Sequence, residues 1–402
     1  MTSMADTILL AVAAVLLVPV GVLFLECIAA LLPRRRPEWQ ANGPRPTVAV
    51  LVPAHNEEAT VKTVIASVLP QLGRHDRLVV VADNCTDGTA AAAYDAGAIV
   101  VERREPHRVG KGYALDFGVR CLGVDPPEVV VVVDADCVAA PGTIDRLARC
   151  VGATGRPVQA TNLVSQPDNP SSRDLISTLA FMVKNLVRPL GLRRLGLPCL
   201  LTGTGMAFPW RTIQAAPLAN GSIVEDMQVG THLAMNGLPA VYCDEARVTG
   251  SLPKNGSAAF SQRTRWEHGH LQTLCTQAPR LLAAGLRRRD AGSIALALDV
   301  AVPPLSLLAA MLVSATAAAL AAGALGCSWR PAEMLIAEDL LLAISVLSAW
   351  AVFGRGKLPL APLLTVPFYI LWKIPIYLNF IVRRQKSWVR TERDAAGAAA
   401  KD

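Results

Sequence analysis

Charge is scarce in this chain of 402 residues. Asp, Glu, Lys and Arg make up 18% of it, against about 25% in soluble domains. Hydrophobic residues reach 52%, and mean hydropathy is +0.37. That balance points to a membrane part, and the length allows two or three units. Aromatics are only 5%, and no basic stripe is interleaved with them, which argues against nucleic acid as a partner. The net charge of +7 lies instead in clusters such as Arg34-Arg35-Arg36, Arg287-Arg288-Arg289 and Arg383-Arg384. Each borders an apolar run, the placement of cytoplasmic membrane flanks. Nine cysteines occur without a C-x-x-C pair. This argues against a disulfide framework or zinc site and for a reducing compartment around the soluble part. No G-x-G-x-x-G follows the first strand and no G-x-x-x-x-G-K-[ST] occurs. A dinucleotide-binding domain and a P-loop ATPase are thereby disfavoured. No internal repeat is found.

Long apolar runs are present. Residues 7–32 can span roughly 30 Å of hydrocarbon. A signal peptide has a basic start and a short core; this run has neither, and its basic cluster follows it. It reads as an uncleaved anchor (1–36), with Glu26 near the interface. A proline-containing linker (37–46) leads to an α/β region (47–256). An amphipathic interfacial segment (257–290) precedes a membrane region (291–384) with apolar stretches at 294–325, 334–353 and 358–382. An alanine-rich tail (385–402) ends the chain. Three full crossings would put Arg383 and Arg384 outside, against the positive-inside tendency. Either a re-entrant last stretch, rich in proline, or division of the first at Pro303-Pro304 restores the parity.

The α/β region alternates strands (47–52, 78–82, 98–101, 129–133, 158–164) with helices (57–69, 86–95, 111–122, 144–150, 174–187), the pattern of a doubly wound parallel sheet. The five valines 129–133 read as a central strand buried on both faces. Asp134 and Asp136 follow it, one residue apart, able to face one divalent cation. An acidic turn is the plain alternative. Ligands of such sheets bind beyond the strands' carboxyl ends, where three further polar groups lie: Pro53 to Glu58, Asp83 to Gly88, and Arg108 to Gly112 around Lys111. Singly, Asn56 and Thr86 read as caps, Asp87-Gly88 as a turn and Lys111 as a solvated lysine. Together they frame a cleft suited to a metal-bound diphosphate, in which the cation stabilises the leaving group. Downstream, Thr202-Gly203-Thr204-Gly205 allows close backbone approach to a ligand. Glu225 and Asp226 open a helix, where carboxylates also act as simple caps. Gln262, Arg263, Arg265 and Trp266 suit either an interfacial helix or a substrate, arginine to diphosphate and tryptophan to a sugar ring.

In motif order and spacing from about 47 to 266, the chain resembles the membrane-integrated family 2 glycosyltransferases, the cellulose, hyaluronan and chitooligosaccharide synthases. The resemblance implies a GT-A-type, Rossmann-like α/β domain with N- and C-terminal transmembrane helices. It implies that Pro53, His55, Glu57, Asp83, Lys111, Asp134, Arg263 and Arg265 bind the UDP-sugar donor. Asp134 and Asp136 would hold Mg²⁺ or Mn²⁺, and Asp226 would be the catalytic base. Thr202, Gly203, Thr204, Gly205, Glu225, Gln262 and Trp266 would meet a saccharide or lipid-linked acceptor.

The implied enzyme is an inverting hexosyltransferase in a cell (inner) membrane, multi-pass, with a cytoplasmic catalytic domain and membrane lipids around it. It would extend a cell-envelope polysaccharide. The few membrane segments leave single addition to a lipid acceptor as an alternative, and make a homo-oligomer or export partners the route to a channel. A transporter or scaffold with a non-catalytic nucleotide-binding domain is the remote alternative.

Overall fold

The computed structural model describes residues 4–33, 44–167, 169–219, 221, 224–251, 256–356 and 358–382. The clusters Arg34-Arg35-Arg36 and Arg383-Arg384, residues 37–43 of the linker and the tail 385–402 lie outside the described residues. The chain forms two compact units. Among the described residues, one gathers 44–169 and 198–269; the other gathers 4–33, 170–197 and 270–382.

The first unit is built on an eight-stranded sheet: β1 (Val48–Ala54), β2 (Arg77–Asp83), β3 (Ile99–Arg103), β4 (Val129–Val132), β5 (Cys137–Ala139), β6 (Val158–Ser165), β7 (Met206–Pro209) and β8 (Val241–Ser251). The spatial order is β3-β2-β1-β4-β7-β6-β8-β5. From β3 to β4 all neighbours are parallel. The valines of β4 are buried on both faces, as is Val133, which fits a strand covered by helices on either side. The expected all-parallel sheet is corrected beyond that point. β7 runs antiparallel to both β4 and β6, and β5 antiparallel to β8. The cause is local. The loop 202–205 lies at the carboxyl end of β4, where Gly205 N donates to Val132 O at 2.9 Å. A strand leaving that loop can only run back along β4. Four apolar residues, Met206 to Pro209, carry no signal of direction in the sequence.

Two helices begin later than their periodicity predicts, at Val61 and Thr89. The residues ahead of them tie the ends of β1 and β2 together instead. Thr86 N donates to Asn56 Oδ1 at 2.7 Å, Glu57 N to Thr89 Oγ1 at 2.8 Å and Gly88 N to Glu58 Oε2 at 3.0 Å. Side chains that would otherwise sit in a first helical turn are thus used to fix two loops.

The second unit is helical. Among the described residues, five helices are long and apolar enough to cross a membrane: Met4–Ala29, Ser172–Arg194, Leu305–Ala324, Arg330–Gly354 and Ala361–Val382. Ser172–Arg194 falls inside the span 47–256 that the sequence assigns to the α/β region. Its charged residues hid its company: Arg188 is buried, with Nε 2.6 Å from Glu26 Oε2 and Nη2 2.5 Å from Asp299 Oδ1. Glu26, expected near the interface, is one arm of a buried ionic triad, 2% exposed. The break at Pro303-Pro304 is real: Ala291–Ala301 ends before it and Leu305–Ala324 begins after it. The segment expected to be amphipathic forms two helices, Gly256–Thr276 and Ala278–Arg288. Arg287, Arg288 and Arg289 at its end are exposed.

Candidate active site

The strand ends of the first unit carry two groups of side chains. The first is at β1, β2 and β3. His55 Nδ1 lies 2.6 Å from Asp83 O. The Asp83 carboxylate is 4% exposed and accepts from Arg103 Nη1 at 2.6 Å and Asn84 Nδ2 at 3.0 Å. Burial pushes the Asp83 carboxyl up, and Arg103 opposes it. Arg103 also holds Glu105 at 3.0 Å and sits over the Tyr113 ring. Motif reasoning missed Arg103. A cation at the end of β3, facing the acid at the end of β2, was the available signal. Pro53 is half-buried at the end of β1. Glu57 is buried, and its carboxylate accepts from Thr60 Oγ1 at 2.7 Å.

The second group surrounds Lys111, the first residue of the helix Lys111–Leu122. Its ammonium ion-pairs with Asp134 Oδ1, donates to Gly203 O at 2.6 Å and lies 3.9 Å from Glu225 Oε1. Burial alone would lower the pKa of Lys111, but Asp134 and Glu225 outweigh burial and raise it. Burial raises Asp134, against the pull of Lys111. Burial likewise lifts Glu225 to about 7, again opposed by Lys111. Asp226 follows in the first turn of the helix Glu225–Met235.

Gly203 lets the loop enter this group. Its φ of +91° is in the left-handed region, and a Cβ there would stand 3.1 Å from Asp226 Oδ2 and 3.7 Å from Lys111 Nζ. The loop is held from beneath by a second residue that motif reasoning missed. Gln159, 1% exposed on β6, accepts from Thr202 N at 2.8 Å and donates to Thr204 O at 2.9 Å. Asp134 N donates to Thr204 Oγ1 at 3.1 Å. An amide flanked by the apolar Val158 and Ala160 was its signal. Gly205, at φ +66°, completes the turn into β7.

Gln262, Arg263, Arg265 and Trp266 share the helix Gly256–Thr276. Arg263 is 5% exposed, and the other three are half-buried. A Cβ on Gly269 of this helix would collide with Val224, the residue before Glu225. The helix therefore packs closely at the start of the segment that carries Glu225 and Asp226.

The carboxylates Asp134, Asp136, Glu225 and Asp226 outnumber the one lysine among them. Ligand atoms of Asp134, Asp136 and Cys137 lie within 4.8 Å of one another. The Cys137 thiol is pushed well up by burial and by Asp136, and it donates to Asp136 Oδ1 at 3.4 Å. A protonated thiol is a poor ligand, so the site offers two hard oxygens. These residues fit Mg²⁺ or Mn²⁺ rather than a thiolate-bound metal.

The model of glycosyltransferase like family 2 matches residues 44–269. Glucosyl-3-phosphoglycerate synthase of Mycobacterium tuberculosis is 38% identical over 114 residues, 26% of this chain and 34% of that protein. The match thus spans about a third of that relative's length. Among solved structures, the mannosyltransferase PcManGT from Pyrobaculum calidifontis, in complex with GDP-Man and Mn²⁺, aligns with a TM-score of 0.52 at 22% identity. The alignment covers 91% of this chain and 99% of that one. That likeness shows a shared fold. The M. tuberculosis synthase, solved with Mn²⁺, UDP and phosphoglyceric acid, aligns with a TM-score of 0.34 at 27% identity over 51% of this chain and 69% of that one. A family match over more than half the chain decides the matter: this chain belongs to glycosyltransferase family 2, and it is a transferase enzyme.

Proposed function

We propose that the enzyme moves a sugar from a UDP-sugar to a saccharide or lipid-linked acceptor at a membrane, with inversion at the anomeric carbon. The observation that carries this reading is the meeting of Lys111, Asp134, Glu225 and the Gly203 loop, with Asp226 beside them. Asp226 is the base. It takes the proton of the acceptor hydroxyl, whose oxygen attacks the anomeric carbon as the bond to the diphosphate breaks. Asp134 and Asp136 would hold Mg²⁺ or Mn²⁺, which would supply charge stabilisation at the departing diphosphate. Arg263 and Arg265 add cationic hydrogen bonds there. Glu225, whose carboxyl pKa burial raises, is placed to hydrogen-bond an acceptor hydroxyl. Trp266 and Gln262 orient the acceptor, and Pro53, His55, Glu57 and Asp83 shape the base end of the donor pocket. Asp83 meets the base with an oxygen already tied to Arg103.

The five long apolar helices support a membrane location. The membrane region reads as the anchor (1–36) and 291–384, with Ser172–Arg194 added but not crossing. The chain leaves the sheet-bearing unit at 169 and rejoins it at 198. A crossing between those points would split the sheet across the bilayer. The catalytic unit is then cytoplasmic. In this reading 47–256 is catalytic apart from that helix, and 257–290 lies along the interface.

Single addition to a small acceptor is the second reading. It is favoured by a relative named for glucosyl-3-phosphoglycerate, one sugar on a small acid. The test is a panel of UDP-sugars, with GDP-mannose for contrast, given to purified full-length enzyme in membranes. Nucleotide release is followed and products are sized. A ladder of sugars supports polysaccharide synthesis, and one added sugar supports the second reading. Release from no donor refutes both.

A further inference from the structure

Lys111 stands where a metal ligand's counter-ion would be, and its surroundings suit a cation that leaves. Its ammonium meets the Asp134 carboxylate, the Gly203 carbonyl at 2.6 Å and Glu225 at 3.9 Å. These are the oxygens that hard cations select. Among the described residues, Oδ1 of Asp134 is buried and has the lysine ammonium as its one partner. If the lysine moves away, that oxygen is bare and ready for a metal.

The lysine also has somewhere else to go. It opens the 12-residue helix Lys111–Leu122. A helix N-terminus disfavours a positive charge and attracts an anion such as a diphosphate. The carboxylates are what retain the ammonium there in the absence of an anion. A diphosphate arriving at this helix end offers the lysine new oxygens within reach of the same side chain.

We propose that Lys111 is an exchangeable stand-in for the divalent cation, so that the metal is admitted only together with a nucleoside diphosphate. This rests on the donor reading above. An ammonium and a divalent ion cannot share Asp134 without strong mutual repulsion. Metal alone is therefore held only weakly. A metal–diphosphate complex brings its own anion, draws Lys111 off Asp134 and takes the vacated oxygen. The enzyme avoids a dead-end metal complex, and Lys111 offsets part of the pocket's negative charge when it is empty.

The test uses detergent-purified full-length protein and the electron paramagnetic resonance of free Mn²⁺, with and without UDP. Wild type is expected to bind Mn²⁺ alone weakly, and UDP to tighten it by at least about tenfold. Lys111→Met and Lys111→Gln should bind Mn²⁺ alone at least about tenfold more tightly than wild type, with UDP adding less. Lys111→Arg, which keeps the charge, should stay as weak as wild type. Neutral variants that are folded by melting but bind Mn²⁺ alone no better than wild type overturn the proposal. Loss of the fold in both neutral variants also overturns it, because the lysine is then a fixed counter-ion. Failure of UDP to bind wild type with Mn²⁺ refutes the donor reading instead; the comparison in Mn²⁺ alone still reads Lys111.

Discussion

Replacing Asp226 by Asn separates chemistry from binding. The two side chains have nearly the same shape, so the first turn of Glu225–Met235 keeps its packing, and Gly203 keeps the clearance that its missing Cβ provides. What is lost is a proton acceptor. A positioned general base contributes about 10²–10⁴ in rate, or about 3–5.5 kcal/mol of barrier. The variant should therefore fall by that factor in kcat. Donor binding should change little. Lys111 pairs directly with Asp134 and lies within 4 Å of Glu225, so its charge stays compensated without Asp226. Asp134→Asn gives the contrast. It removes a metal oxygen and the partner of Lys111 together, and UDP affinity in Mn²⁺ should drop by about 10–100-fold, as for lost support of a metal site. Nucleotide release gives kcat, and calorimetry with UDP gives Kd. A normal kcat in Asp226→Asn removes this residue as the base. A Kd that rises as much as in Asp134→Asn means that Asp226 holds the donor, not the acceptor.

Three further outcomes follow from the same contacts. Arg188→Leu leaves Glu26 and Asp299 buried without their cation, which should cost about 3–5 kcal/mol; adding Glu26→Gln and Asp299→Asn should restore part of the melting temperature, and no loss in the single variant refutes the triad's role. Glu225 has a folded pKa of about 7 against 4.5 unfolded, so the folded state binds the extra proton and stability declines as pH rises from 4.5 to 7; in metal-free buffer Glu225→Gln should flatten the melting temperature over that window, and an unchanged slope assigns it elsewhere. Gly203→Ala forces a side chain into positive φ, at about 1–2 kcal/mol, and sets a methyl 3.1 Å from the Asp226 carboxylate; kcat should fall more than UDP affinity, and unaltered kcat would show that the loop moves away in turnover.

The parts legible in the sequence were those in which one physical signal had one meaning. Five consecutive valines specify a strand buried on both faces, and Asp134 and Asp136 follow at its carboxyl end. Lys111 opens the helix Lys111–Leu122 with the bounds that periodicity predicts. The rest depended on partners distant in the chain. β7 runs antiparallel because its incoming loop is bonded to β4 through Gly205 and Thr204. The helices at Val61 and Thr89 start late because Asn56, Glu58 and Asp87 face each other across two loops. Ser172–Arg194 looked like a helix of the α/β region because Glu26 and Asp299, the partners of its Arg188, lie far away in the chain. Arg103 and Gln159 belong to no motif; each matters only through the residue it holds.

The central claim is a metal-dependent UDP site at the carboxyl ends of β1, β2 and β4. It can be tested without knowing the acceptor. UDP is titrated into the purified full-length chain by calorimetry, in Mn²⁺ and then in EDTA, with Asp136→Asn alongside. Binding is expected in Mn²⁺, lost in EDTA and lost or greatly weakened in Asp136→Asn. Absence of binding, or an affinity unchanged by EDTA, contradicts it.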